Sequence, residues 1–277
     1  MVRRAVAEGA KGVDQDVSAF ALIVFARLDS RRLPGKALAD LCGRPMLGRV
    51  LDRLRRVAGR PRIVVATSDR SSDDPIVGFT RNENVAVFRG SAEDVAGRAL
   101  ACAEMFGLEA FVRISGDSPF IDPILTSEMI ATHNQKETDL TTNIFPRTYP
   151  AGTSVEIITT AAMRRAVSEM RGSDEHEHVT PYFYRHGDQF RIHNVAAADD
   201  RYPDVRLAVD TPWDFEMATH VMARLGPRPD LADLDRVAAT AQTCGWLVSA
   251  NVAPGSVDGR VTDGLQACSH TVENQTA

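Results

Sequence analysis

Ala21-Leu-Ile-Val-Phe-Ala-Arg-Leu-Asp-Ser-Arg-Arg-Leu-Pro-Gly-Lys36 is the stretch on which the fold turns. Its first six residues are uninterruptedly apolar and of strand length, the pattern of a parallel strand buried on both faces. The ten that follow change character. From Arg27 to Lys36, four cations (Arg27, Arg31, Arg32 and Lys36) face one acid, Asp29, a local excess of +3 in a chain whose net charge is −5. Ligands of open α/β sheets bind beyond the carboxyl ends of the strands, which is where this loop falls. Ser30 and Gly35 let backbone amides approach a phosphate closely. The loop reads as a polyphosphate binder or, on its own, as a solvated basic loop. It is neither G-x-x-x-x-G-K-[ST] nor G-x-G-x-x-G, so the Walker and dinucleotide fingerprints are absent.

Outward from this loop, strand and helix signals alternate. Apolar residues Met46, Leu47, Val50, Leu51, Leu54 and Val57 form a helical stripe within residues 45–57. Strands are expected at 62–66, 85–88 and 110–114. Ser71 or Ser72 is placed to cap the helix after the first of these. Ser91, with Asp94 three residues on, resembles a capping box opening a helix that runs to Phe106. Another helix is expected over 123–134. The repeating order predicts a mostly parallel sheet with helices on both faces. Beyond Asp139 the rhythm is denser, with strands expected at 155–159, 190–195 and 206–209. Helices are expected at 160–170, 175–186, 211–225 and 231–244. No linker rich in Pro, Gly or Ser interrupts 19–250. The reading is one domain, 19–252, with an inserted subregion at about 140–200, a disordered extension over 1–18 and a flexible tail over 253–277.

The chain has 277 residues, 44% of them apolar and 25% charged, a globular balance that excludes collagen-like and low-complexity proteins. The acidic net charge argues against a broad nucleic-acid footprint. The start lacks the apolar core of a signal peptide, and the only nearby apolar run, 19–26, is too short for a bilayer. Four cysteines without a C-x-x-C pair fit reduced thiols in a cytoplasmic protein.

Two acidic motifs end in loops of the same kind. Arg113-Ile-Ser-Gly-Asp-Ser-Pro-Phe-Ile-Asp122 thrusts Asp117 out past a strand, where a carboxylate holds Mg²⁺ against phosphate oxygens or else caps a helix. Asp122, before Pro123, suits the cap better. In Arg206-Leu-Ala-Val-Asp-Thr-Pro-Trp-Asp214, Asp210 precedes a plausible N-cap, Thr211, and first helical residue, Pro212. Asp210 is either part of that helix start or, paired with Asp117, a second metal ligand. His176 and His178 stand two apart, so on one helix they point different ways and make a poor zinc pair.

Together the loop 26–36, the Gly116-Asp117-x-Pro119 turn and Val209-Asp210-Thr211-Pro212 resemble the CTP:sugar-acid cytidylyltransferases, the superfamily of acylneuraminate and 3-deoxy-manno-octulosonate cytidylyltransferases. Further stretches are similar to its spore-coat polysaccharide SpsF-type subgroup: 65–69, Arg89-Gly-Ser-Ala-Glu-Asp-Val95 with Arg98, 146–150 and Glu177-His-Val-Thr-Pro181. The resemblance implies a Rossmann-like nucleotide-diphospho-sugar transferase fold. It also implies attack of a sugar hydroxyl on the α-phosphate of CTP with release of pyrophosphate. On its motifs, Arg27 and Lys36 match triphosphate contacts supported by Ala26, Ser30 and Arg32, and Asp117 and Asp210 match Mg²⁺ ligands. Thr67, Ser68, Asp69 and Ser91 match the nucleoside surroundings, and Arg147, Tyr149, Glu156 and His178 the acceptor side. It further implies a homodimer joined through about 143–181. Phe25 replaces a frequent Gln, and Trp213 replaces an acid after Asp-Thr-Pro. A glycosyltransferase of the same fold would want Asp-x-Asp, of which Gly116-Asp117-Ser118 has one acid. A non-catalytic nucleotide-binding protein would not need Arg27, Lys36, Asp117 and Asp210 together.

Overall fold

The computed structural model describes residues 7–8, 20–202 and 204–247; the tail at 253–277 and most of the extension at 1–18 lie outside them. Eight strands form one sheet in the order β1-β4-β3-β2-β5-β7-β6-β8. They are β1 (Ala7–Glu8), β2 (Phe20–Phe25), β3 (Arg62–Ser68), β4 (Ala86–Gly90), β5 (Ala110–Ser115), β6 (Leu140–Thr142), β7 (Glu156–Thr159) and β8 (Ile192–Asn194). Pairings among β2, β3, β4 and β5 are parallel, as is that of β6 with β8, whereas β1 on β4 and β7 on both β5 and β6 run antiparallel. The sheet is thus mostly parallel, and residues 140–200 extend it at the β5 side.

Helices cover both faces. Leu22, Val24, Val65, Val112 and Ile114 pack beneath α1 (Met46–Leu54), α4 (Pro123–Gln135), α8 (Pro212–Leu225) and α9 (Leu234–Thr243). The alternate residues Ala21, Ile23, Val64, Ala66 and Phe111 pack beneath α3 (Val95–Met105), α5 (Thr160–Glu169) and α7 (Pro181–Arg185). Two cores built from alternating residues of the same strands explain why those strands read as continuous apolar runs. Two helices complete the set, α2 (Asp74–Asn82) and α6 (Ser173–His176).

Several local expectations are corrected. Neither Ser71 nor Ser72 caps α2: Asp73 holds that position, and its carboxylate instead accepts from Leu28 N (2.8 Å) and Ser68 N (3.2 Å), pinning the basic loop to the end of β3. Asp94, not Ser91, caps α3 by accepting from Gly97 N at 2.7 Å, while the Ser91 hydroxyl accepts from Asp94 N. The helix expected over 175–186 is two short ones, because Pro181 can only open a helix and starts α7 afresh. Strand β6 was not foreseen; its three residues are too few to show a period. Finally, 206–209 form no strand. Leu207 N donates to Ala151 O (2.7 Å) and Val209 N to Asp117 O (3.0 Å), so the segment bonds different neighbours in turn and builds no ladder.

Candidate active site

The carboxyl ends of β2 and β5 lie side by side, Phe25 opposite Ser115, and the chain then turns away from both. Gly116 is required at that point. A Cβ there would stand 2.8 Å from Phe25 O and 2.9 Å from the Ala26 Cβ, so any side chain would push the strand ends apart. The loop after β2 is closed by Gly35 N donating to Leu28 O at 2.8 Å, with Gly35 at φ +77°, a conformation natural to glycine. This folds Lys36 back over the sheet edge.

Around these ends opens a cleft of about 350 Å³. Ala26, Arg27, Ser30, Arg31, Arg32 and Lys36 line it from the loop, Arg113, Ser115, Gly116 and Asp117 from β5 and its turn, and Asp210 from the segment before α8. Phe25, Val95, Arg98, Glu177 and His178 line the opposite wall. Lys36 Nζ donates to Asp117 Oδ2 (3.0 Å), Asp210 Oδ1 (3.3 Å) and Val209 O (2.7 Å), joining residues 81 and 174 positions away. Burial alone would raise the Asp117 pKa, but the Lys36 ammonium, the Ser115 hydroxyl and the Arg113 charge outweigh it, and the carboxyl titrates below its ordinary value. Arg32 Nη2 reaches Asp210 Oδ1 at 3.0 Å, and Arg27 Nε reaches Asp29 at 3.2 Å.

Asp210 is aimed by the start of α8. Thr211 is the N-cap and forms a capping box with Asp214, whose Oδ2 also accepts from Asp210 N at 3.0 Å. Arg206 spans both acids, Nη2 to Asp210 (2.8 Å) and Nε to Asp214 (3.0 Å). Buried Trp246 donates Nε1 to Asp214 at 3.2 Å and packs edge-on against Phe120. The cap belongs to Thr211, so Asp210 is left free to face the cleft. Asp122, by contrast, caps α4 through Leu125 N at 2.7 Å.

Lys36 Nζ meets both carboxylates, at 3.0 and 3.3 Å, so Asp117 and Asp210 flank a common point in the cleft. Two hard oxygen donors are a normal protein share of a Mg²⁺ site whose other ligands are waters and phosphate oxygens, so Asp117 and Asp210 fit that ion. Among the described residues no cluster of three or more metal-ligating side chains occurs.

Other expected site residues are distributed differently. Thr67, Ser68, Asp69 and Ser91 do not line the cleft: Thr67 is buried, and Ser68 is committed to Asp73. Of the residues expected on the acceptor side, His178 lines the cleft; its neighbour His176, expected to make a poor zinc pair with it, bonds Asp94 at 2.8 Å. Glu156 is fully buried, bonded by Arg113 Nη1 (3.1 Å) and the Tyr184 hydroxyl (2.5 Å), so it reaches the cleft only through Arg113. Burial and the Glu156 charge push the Tyr184 pKa up, keeping the phenol protonated. Arg147 bonds Ser154 Oγ at 3.2 Å, and Tyr149 faces Tyr202. Neither lines the cleft. The residues that sequence reasoning left without a role are Asp73, Arg98, Arg113, Arg206 and Asp214. All but Asp73 lie inside or beside the quoted motifs, but burial and pairing, not spacing, set them apart.

Comparison with known proteins agrees with this geometry. Residues 21–226 match the cytidylyltransferase family. The chain is similar to the spore coat polysaccharide biosynthesis protein SpsF of Bacillus subtilis, 32% identical over 217 residues covering 76% of this chain and 89% of that one. It is also similar to a 3-deoxy-manno-octulosonate cytidylyltransferase of Geobacter sulfurreducens, 37% identical over 39% of this chain and 43% of the relative. Among solved structures, a cytidylyltransferase from Leptospira borgpetersenii superposes with a TM-score of 0.79 at 26% identity, covering 84% of this chain and 98% of that one.

Proposed function

The chain belongs to the cytidylyltransferase family, and from that premise we propose that it transfers CMP from CTP to a sugar-acid hydroxyl, releasing pyrophosphate, for surface polysaccharide or glycoconjugate synthesis. One observation carries the reading: Lys36, Asp117 and Asp210 converge in a cleft already lined by Arg27, Ser30 and Arg32. Nucleotidyl transfer asks for alignment and for neutralisation of charge on phosphate oxygens, with little covalent help. Arg27 and Arg32 hold the triphosphate, and Lys36 exchanges its carboxylate partners for phosphate oxygens as the nucleotide enters. Gly116 keeps the Asp117 turn close against the end of β2. Mg²⁺, held by Asp117 and Asp210, would neutralise phosphate charge when bound. Val209 N on Asp117 O keeps the two acids in register.

His178, which lines the cleft, serves the acceptor side, with Glu156 fixing Arg113. The assembly we propose is a C₂ homodimer in the cytoplasm, joined through about 143–181, the segment that carries the 47%-exposed Phe145. Among the described residues no helix is long and apolar enough to cross a membrane. Tyr182 and Tyr184 spend their apolar surface on their own sheet face, which leaves Phe145 to the contact. Light scattering tests this: a mass near 30.2 kDa refutes the dimer, and about twice that supports it.

The decisive assay is pyrophosphate release from each nucleoside triphosphate with Mg²⁺ across a panel of sugar acids. Release that needs both CTP and one sugar acid is expected. Its absence from every pairing overturns the reading.

A further inference from the structure

Arg98, on the first turn of α3, lines the cleft, with its guanidinium 5.9 Å from the centre of the Phe25 ring. It is only 3% exposed. Nη1 donates to Ser91 O at 2.7 Å, and Nε is buried without a partner. Among the described residues no carboxylate forms an ion pair with it; Asp73, Asp29 and Asp94 act only from a distance. Burial, and then the like charge of Arg27, lowers its pKa to about 10, so it remains a cation at neutral pH. A buried charge lacking a counter-ion is costly and is retained where a ligand supplies the opposite charge.

Arg113 stands on the same side of the sheet. It is two residues before Ser115, the neighbour of Phe25, and its Nε is likewise buried and unpartnered. Glu156 pairs with it directly, whereas among the described residues no carboxylate pairs with Arg98. Among the loop cations, Lys36 is engaged by Asp117 and Asp210, Arg32 by Asp210 and Arg27 by Asp29. The cleft is therefore lined by two further cations, carried by α3 and β5 and not by the loop itself.

We propose that Arg98 and Arg113 form an oxyanion subsite that holds the carboxylate or phosphate of the acceptor, while the loop 27–36 holds the triphosphate. The inference rests on the nucleotidyl-transfer reading above. A guanidinium presents paired N–H groups in a fixed plane, suited to an oxyanion and fit to select acceptors that carry one.

The test titrates inorganic phosphate into the wild type, Arg98→Met and Arg98→Lys, following thermal stabilisation with and without saturating CTP and Mg²⁺. The wild type should bind phosphate in both conditions. Arg98→Met should lose about tenfold or more in affinity, with a melting temperature unchanged or raised because an uncompensated buried charge is gone. Arg98→Lys, which keeps the charge but not the fork, should fall between and serves if the Met variant does not fold. Equal phosphate binding by wild type and variants overturns the subsite, as does failure of the wild type to bind phosphate. Phosphate binding abolished by CTP would assign Arg98 to the nucleotide and overturn it as well. A wild type that fails to bind CTP breaks the nucleotidyl-transfer reading, while the titration without nucleotide still reports on Arg98. Sugar carboxylates and sugar phosphates, assayed as acceptors, then identify which oxyanion is taken: its KM, not that of CTP, should rise in Arg98→Lys.

Discussion

On the loop wall of the cleft, Lys36 lies between two carboxylates and Arg32 is 62% exposed, so each cation has a partner or water before any ligand arrives. On the α3 side, Arg98 is buried and pairs with no acid among the described residues, and Arg113 depends on a fully buried Glu156. Cations of similar charge thus serve under opposite conditions. The loop wall trades existing partners for phosphate oxygens and needs little rearrangement of solvent to do so. The α3 wall holds charge in reserve, and a bound anion there gains more because less water competes.

Removing a charge from each wall in turn separates these two modes of action. The largest effect is expected at Asp117→Asn, where turnover should fall by several orders of magnitude while stability stays within about 1 kcal/mol. The Val209 carbonyl and the remaining acid, Asp210, keep Lys36 partnered. Normal pyrophosphate release by this variant would remove Asp117 from the chemistry. Next comes Lys36→Ala, expected to lower kcat by about 10²–10³ if its ammonium meets charge that grows in the transition state. Arg27→Ala should weaken CTP binding as well, since this side chain lines the cleft and is paired with Asp29 alone among the described residues. An unchanged kcat in both would reduce the loop to a solvated patch.

On the other wall, Glu156→Gln should cost about 1.5–3 kcal/mol, because it weakens hydrogen bonds made to a charged group in a buried place. Chemical denaturation measures it. A variant as stable as the parent would mean that Arg113 finds water instead. Smallest is a pH effect at Asp214. Burial raises its pKa, but Arg206 and Thr211 outweigh burial and leave it below the ordinary value. A depressed folded pKa stabilises above the unfolded one, so stability from Asp214 should be constant at neutral pH and lost only as pH falls below about 4. Asp214→Asn should flatten that acid limb of the melting curve, and an identical limb would show that other carboxylates carry it.

Legibility in the sequence followed the same division. The β2 strand and its loop were readable because a continuous apolar run and a local charge excess are one-dimensional signals. Asp117 and Asp210 were readable as a pair only through their motifs, since spacing does not reveal that Val209 bonds Asp117. The choice between cap and ligand at Asp210 needed the structure, where Thr211 takes the cap. Arg98 was visible as a motif residue, yet its isolation depends on which acids fail to reach it. The strand expected at 206–209 failed for a related reason: its apolar residues are buried by packing between segments, and burial without a ladder leaves the same imprint on composition.

The anchoring of Asp210 has a consequence for how the protein is made. Its supports, Arg206, Asp214 and Trp246, all belong to the last part of the described chain, while Lys36 stands 174 positions before Asp210 and is translated ahead of it. Domains begin to fold from the N-terminal end during synthesis. The growing polypeptide therefore carries a finished basic loop, and then Asp117, well before the second acid is translated. Trp246, which seats against Phe120 and bonds Asp214, is translated later still, so the support of the second acid is completed after both acids have been made.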